Sequence, residues 1–446
     1  MTAEPEVWRY TLAPDVSLEE GAWLATATTH TEVAAGDLQL IRCLDGSAHT
    51  ESELCERLHT GEEEEDVEIR CAAILFRLDR LGLLAREVWS GGRRLASCVP
   101  RRPAADPLPA HPPDGALRLS SVAFARRAER GVTLDAPTSW ATLTIHDRRL
   151  MPILHDLTLG TSADAMVAAA AGDHAEAVRA VVRLIAWCGL LDTGEAAWPP
   201  HELLFHSRTR RGYTRARLGR IHARHDTPGA IEWASATGAD RIVLEPPDLN
   251  RLVAADPPFA LVSERRRSTR RYGALPLTSG QLSELLFRTL HERGGRRPYP
   301  SGGSCYPLQG YLAVHRCAGI AQGLYAYDAV RHELVSVAET GAALDALLMD
   351  AAAAAGIVEA PQVLLVLVAR LGGVRHAYGD LSYSLILKEV GAVFQAAMMA
   401  AAAMSVGTCP LGCGDSRLFA ELARLEIADA ASVGELMIGS LEAPTS

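Results

Sequence analysis

At roughly 150 residues per domain, a chain of 446 residues is too long for one small module and has room for a large buried core. Its composition, 48% hydrophobic and 22% charged, is that of a globular protein, and 44 Lys plus Arg against 54 Asp plus Glu leave a formal net charge of −10. That balance excludes a nucleic-acid binder relying on a general basic field, so any anion must be met by a local cluster. Nine cysteines, with no C-x-x-C among them, indicate neither a disulfide framework nor a zinc ribbon; a reducing compartment is expected, and no metal site. Met1 to Tyr10 lacks a basic segment leading into an apolar run, and the longest apolar stretch, 391–404, is mostly alanine, contains Gln395 and is too short for about 30 Å of hydrocarbon. A soluble cytoplasmic protein with no membrane partner is the expectation.

Taken in chain order, the first half carries an internal repeat. Ile74, Leu75, Leu78 and Leu81, followed by Gly82-Leu83-Leu84, recur as Val181, Val182, Ile185 and Cys188, followed by Gly189-Leu190-Leu191. The spacing is that of one apolar helix face closed by a glycine C-cap. Leu40, Ile41 and Leu44 have counterparts in Ile153, Leu154 and Leu157, and each copy follows extended sequence, around Trp8 to Leu18 and around Leu117 to Leu134. Two winged-helix-like modules are predicted, 1–97 and 116–197, held apart as separate units by a linker over 98–115 in which Pro100, Pro103, Pro107, Pro109, Pro112 and Pro113 prevent a helix. The acidic stretch Glu62 to Asp66, read as an inter-helix segment, would repel phosphates, so no nucleic-acid partner is expected. A docking scaffold and a peptide-recognition module both remain open for this pair.

An irregular, Arg-rich connecting arm is expected over 198–260, with Arg208, Arg210, Arg211, Arg215, Arg217 and Arg220 near His206. After it, strands alternate with helices: a helix over Ser279 to His291, a Gly/Pro loop over Gly294 to Pro307, and strands over Tyr311 to His315, Leu324 to Tyr327 and Glu333 to Val337. A helix over Ala343 to Ala355, a buried strand over Val363 to Ala369, helices over Leu381 to Ser405 and Ser416 to Leu425, and a last strand over Glu435 to Ser440 complete it. The whole reads as α+β, with one central mixed sheet flanked by helices in residues 261–446.

Three segments of that half carry chemistry. Arg265-Arg266-Arg267-Ser268-Thr269-Arg270-Arg271 puts five guanidinium groups and two hydroxyls into seven residues of an acidic chain, a composition suited to phosphate oxygens, although a solvated basic turn would look the same. Arg297-Pro298-Tyr299-Pro300-Ser301-Gly302-Gly303-Ser304-Cys305-Tyr306-Pro307 has adjacent glycines that let backbone N–H groups approach a flat ligand. Gly407 to Asp415 is again glycine-rich, and Cys409 and Cys413 within it read as structural cysteines.

These motifs, in this order and together with Glu389-x-Gly391-x-x-x-Gln395, resemble the SagB-type dehydrogenases of the nitroreductase superfamily, flavin enzymes that oxidise azolines to azoles in peptide natural products. The resemblance covers about Leu261 to Leu441 and extends upstream through Trp198 to Gly212, where His201 to Arg208 looks like the family's linker. It implies a nitroreductase-like flavin domain in which Arg266, Arg267, Ser268 and Arg270 hold the phosphate and ribityl chain of FMN. It further implies that Pro300, Ser301, Gly302 and Gly303 lie against the isoalloxazine from the partner subunit of a homodimer. Gln395 counts as a cofactor residue in the same motif, and Gly412, Cys413 and Gly414 would run near the reactive flavin edge. Azoline-oxidising relatives carry a Lys-Tyr pair before the long helix; here Tyr378 is present but Ala377 stands at the Lys position, and Ser384 stands where the family often has Arg. A phenol of ordinary pKa, about 10, is mostly protonated at neutral pH, so Tyr378 as a base calls for a nearby cation, with His376 and Arg375 the local candidates. The implied partners are a heterocyclised precursor peptide and the cyclodehydratase that makes its rings. Oxidation of another small or carrier-bound substrate, or a non-catalytic scaffold for that cyclodehydratase, are the alternatives.

Overall fold

Residues 7–19, 23–26, 30–34, 37–58, 63–170, 174–194, 198–213, 219 and 240–442 are described by the computed structural model. Glu62, Arg215, Arg217 and Arg220 of the sequence reading lie outside them. The chain forms two units, Met1–Leu218 and Gly219–Ser446.

In the first unit the repeated apolar pattern folds twice in the same way. Strands β1 (Trp8–Leu12), β2 (Ser17–Glu19), β3 (Trp23–Ala25) and β4 (His30–Glu32) precede helices α1 (Leu38–Leu44), α2 (Glu51–Leu58) and α3 (Glu64–Arg80) and a hairpin of β5 (Leu84–Ser90) and β6 (Arg93–Pro100). The second copy has β7 (Phe124–Ala128), β8 (Gly131–Asp135) and β9 (Ala141–Ile145), then α4 (Met151–Leu159), α5 (Ala163–Ala169) and α6 (His174–Trp187). Helices α3 and α6 end alike. Gly82 (φ 68°) and Gly189 (φ 71°) take the left-handed conformation, and the N–H groups of Leu83 and Leu190 return to the carbonyls of Leu78 and Ile185. Glu65 and Asp66, expected in a loop, instead open α3, where acidic side chains favour the helix N-terminus.

The expected separation into independent modules does not hold. β6 and β9 pair antiparallel from Ala96↔Ile145 to Pro100↔Ala141, fusing both copies into one six-stranded sheet, β1-β5-β6-β9-β8-β7. Pro100 is tolerated because it is the last residue of its strand. The proline-rich segment beyond it is not a loose tether either. Extended backbone without internal hydrogen bonds leaves its carbonyls free, and those of Ala105, Asp106 and Pro109 accept from Arg80, Trp187 and Arg183. The arm is likewise not irregular throughout: α7 (Pro200–Thr209) belongs to the first unit, where Arg208 and Arg101 both reach the fully buried Asp135 at 2.7 Å.

The second unit is built on a seven-stranded sheet. Its strands are β10 (Arg241–Val243), β12 (Leu308–Val314), β14 (Gly323–Asp328), β15 (Glu333–Ala338), β16 (Val363–Arg370), β17 (Val406–Pro410) and β18 (Ala430–Ser440), in the order β10-β15-β14-β12-β16-β18-β17. Two-residue strands β11 (Leu277–Thr278) and β13 (Cys317–Ala318) pair apart from it. Every ladder of the large sheet is antiparallel, and its mixed character is confined to one isolated parallel bridge, Ser268 to Thr408. Helices α8 (Leu249–Ala255), α9 (Phe259–Arg265), α10 (Ser279–Thr289), α11 (Ala342–Ala354), α12 (Leu371–Tyr378), α13 (Ser382–Ala403) and α14 (Ser416–Ala423) surround it.

Alternation along β16 explains the layers. Val363, Leu365, Leu367 and Ala369 face a core shared with α10 and α13, whereas Leu364, Val366 and Val368 face a second core shared with α11 and α14. Both faces are covered, which is why the strand reads as a continuous apolar run. The helical run Leu371–Ala403 spans 33 residues, longer than the apolar stretch expected from sequence and sufficient in length and composition to cross a membrane. Here it lies on the sheet, with Glu389 buried among its core-facing side chains.

Candidate functional site

The arginine run follows α9 and lies along the open edge of the sheet at β17. Thr269 donates its N–H to the Thr408 carbonyl at 2.8 Å, and Gly273 donates to the carbonyl of Ser440 at 3.0 Å. Two glycines make this approach feasible. A Cβ on Gly407 would stand 2.8 Å from Thr269 Cγ2, and one on Gly439 would stand 2.5 Å from the Tyr272 ring. Beyond the run, the buried Gln362 ties residues 273–277 to β18: its Oε1 accepts from Leu277 and Ser440, and its Nε2 donates to the carbonyls of Gly273 and Leu275. Arg265, Arg267, Arg270 and Arg271 are exposed and Arg266 and Ser268 half-buried. None of the five arginines forms an ion pair with another described residue, in contrast to Arg288, which is bonded by Asp256 and Glu284, and Arg297, paired with Glu292. A backbone fixed to a sheet edge with uncompensated guanidinium groups and a serine hydroxyl fits a phosphate.

The double-glycine loop is rooted by Arg297, whose Nη1 donates to the Leu308 carbonyl at 2.5 Å and to Tyr299 Oη at 3.3 Å. Tyr299 is buried, which pushes its phenol up to about 12, and it meets Tyr306 edge-to-face at 5.6 Å. Gly302 to Ser304 form a single 3-10 turn. Its tip docks on α13: Gly302 N–H and Ser301 Oγ both donate to Glu389 Oε1 at 2.9 Å. Burial raises the Glu389 carboxyl above its ordinary range, and the two hydrogen bonds with the nearby Arg297 charge act in the opposite direction. Pro300 is exposed, and Ser301, Gly302 and Gly303 are half-buried.

The third segment continues directly from β17, so the strand that seats the arginines also delivers the Gly412-Cys413-Gly414 turn. Leu411 N–H bonds the Glu435 carbonyl at 2.9 Å; Gly412 and Cys413 are exposed. A Cβ on Gly414 would lie 2.5 Å from the Glu435 carboxyl carbon. That carboxyl is buried and raised above its ordinary range, by burial first and by Asp350 second.

The remaining candidates sit elsewhere on the same helical run. His376 and Tyr378 are half-buried in the last turn of α12, with the intervening Ala377 in the core at 1% exposure, so the position where relatives carry Lys points inward here. Two residues apart on a helix, the His376 and Tyr378 side chains leave on different faces. Gln395 is exposed on the outer stripe of α13 with Tyr383, Leu387 and Gly391, away from the buried face that holds Glu389. Sequence reasoning passed over three residues. Gln362 gives no motif signal. Glu389 was legible only as a motif position. Lys388, the single lysine of the chain, donates to Ser384 Oγ at 3.1 Å, at the position where the family often has Arg.

Comparison with known proteins gives the family of the second half. Residues 264–440 match the nitroreductase family, and residues 117–215 match the cyanobactin oxidase ThcOx. A relative from Methanocaldococcus jannaschii named as a nitroreductase is 30% identical over 175 residues, covering 39% of this chain and 85% of the relative. Among solved structures, a nitroreductase-family protein of Ralstonia eutropha is 25% identical with a TM-score of 0.39, over 47% of this chain and 93% of that one. A chain of the Escherichia coli microcin synthetase McbBCD complex, solved with truncated pro-MccB17 bound, is 21% identical with a TM-score of 0.35, over 41% and 73%.

Proposed function

The chain belongs to the nitroreductase family, and from that premise we propose that it is an FMN-dependent dehydrogenase oxidising thiazoline or oxazoline rings to azoles in a ribosomally made peptide. The observation that carries the reading is the joining, in one chain, of a nitroreductase half bearing an arginine run without ion pairs among the described residues to a segment matching cyanobactin oxidase. Arg266, Arg267, Arg270 and Ser268 would hold the FMN phosphate. The Pro300–Gly303 loop would lie against the ring system from the partner subunit, and the Gly412–Gly414 turn would present backbone N–H groups to its reactive edge. FMN, when bound, supplies a two-electron acceptor.

The chain's own residues handle the proton. Tyr378 Oη would take it from the azoline ring carbon; His376, leaving α12 on a different face, is not placed to supply the charge that would favour the phenolate. The first unit would receive the peptide or dock the cyclodehydratase, and two copies would form the working homodimer. A buried Ala377 in place of the relatives' Lys favours, as a second reading, oxidation of a different small or carrier-bound substrate on the same scaffold. Incubating FMN-loaded protein with synthetic thiazoline and oxazoline peptides tests the choice by mass spectrometry. Loss of two hydrogens per ring supports the azoline reading, and unchanged peptide under aerobic conditions overturns it.

A further inference from the structure

The proposed chemistry gives no role to one buried acid. Glu389 is 5% exposed in the middle of α13, and its two carboxylate oxygens have different surroundings. Oε1 accepts both the Gly302 N–H and the Ser301 hydroxyl at 2.9 Å, and Ser301 Oγ in turn accepts the Tyr306 N–H at 2.8 Å. One oxygen thus closes the turn from Ser301 to Tyr306. Oε2 is equally buried and has no hydrogen-bond partner among the described residues. The turn that Oε1 closes is strained: Gly303, Ser304 and Tyr306 stand at φ 59°, 56° and 47°, the last two without a glycine's freedom. Such conformations persist only where their surroundings over-determine them. Leu385, one helical turn before Glu389, packs against the Cα of Gly302, where a Cβ would come within 3.3 Å of its Cδ1.

We infer that Glu389 is the positioning residue of the double-glycine loop, holding the 301–306 turn, with Gly303, Ser304 and Tyr306 left-handed, through an accepting oxygen rather than through charge, and so setting how tightly the loop retains flavin. The part concerning flavin rests on the function proposed above; the clamp itself does not. Burial that disfavours the charged form agrees with an acceptor role, since a neutral carboxyl or carboxamide accepts the same two bonds.

The discriminating set is Glu389→Gln, Glu389→Ala and Ser301→Ala, each read by amide hydrogen exchange at residues 301–306 in flavin-free protein and by FMN titration. Glu389→Gln keeps the acceptor and should hold exchange and FMN affinity within about threefold of wild type. Glu389→Ala removes two hydrogen bonds, each of ordinary net strength, and should weaken FMN binding by roughly thirtyfold and speed Gly302 and Tyr306 exchange to a similar degree. Ser301→Ala, which leaves the helix untouched, should produce an intermediate loss of about fivefold and serves if the Glu389→Ala protein does not fold. Wild-type behaviour of Glu389→Ala, or of Ser301→Ala where Glu389→Ala is not obtained, overturns the inference. So does Glu389→Gln as impaired as alanine, which would assign the role to charge. Should wild type bind no FMN, the flavin reading fails, and the exchange of the two amides still decides the clamp.

Discussion

Arg267 and Arg270 are exposed guanidinium groups without a carboxylate partner among the described residues, so folding should lose little with them and anion binding much. A charge-assisted hydrogen bond contributes about 1.5–3 kcal/mol, so alanine at either position is expected to weaken FMN binding by roughly 10- to 150-fold. Isothermal titration checks this, with the melting temperature essentially unchanged as the control. A second residue-scale expectation concerns pH. His332 is buried, with Nδ1 2.7 Å from Tyr327 Oη and Nε2 2.8 Å from Ser283 Oγ. Burial first, and His291 second, lower its pKa to about 4. The unfolded chain therefore takes up that proton first as pH falls, so this contribution to stability is present above about 6.5 and is lost on acidification towards 4. In urea unfolding, the stability of wild type relative to His332→Gln should be highest at pH 7 and fall towards pH 4; parallel profiles would contradict the assignment. The arginine run and double glycine were legible because their chemistry is concentrated in a few adjacent residues. Gln362 and His332 were not, since a lone polar side chain announces nothing until the fold buries it against particular backbone groups.

At the scale of elements, the arginine run keeps its place through Gln362 and the two glycines of the sheet edge. Gln362→Leu leaves the N–H groups of Leu277 and Ser440 without their buried acceptor, while the carbonyls of Gly273 and Leu275 keep the Ser440 hydroxyl. A cost of about 3 kcal/mol follows at 1–3 kcal/mol per stranded group, partly offset by water, read as a lower urea midpoint together with weaker FMN binding. Gly407→Val is expected to lift the 268–269 segment off β17 and reduce FMN affinity without removing any charge. An unchanged FMN titration would show that the seating of the run does not matter. Elements with strong local signals were readable in advance. α10 carries a Thr278/Gln281 capping box, and β16 is an unbroken apolar run. β17 and α12 were hidden for opposite reasons. Gly407 and Pro410 make an edge strand look like a loop. The Gly372-Gly373 pair weakens the helical pattern, which is restored when Val374 and Ala377 pack into the core.

For the molecule as a whole, the shared sheet of the first unit changes what a cut in its proline-rich segment should do. Six prolines implied separable modules, because sequence shows where a helix cannot run but not which strands will pair across the break. With β6 and β9 paired, a protease nick between Pro107 and Pro113 should leave the two fragments co-eluting in size-exclusion chromatography; their separation would contradict the fused sheet. The account as a whole stands on flavin being held by the second unit. It is tested most directly by denaturing the purified protein and identifying the chromophore released. One FMN per chain is the predicted result. A colourless protein that gains no flavin absorbance when titrated with FMN would contradict it.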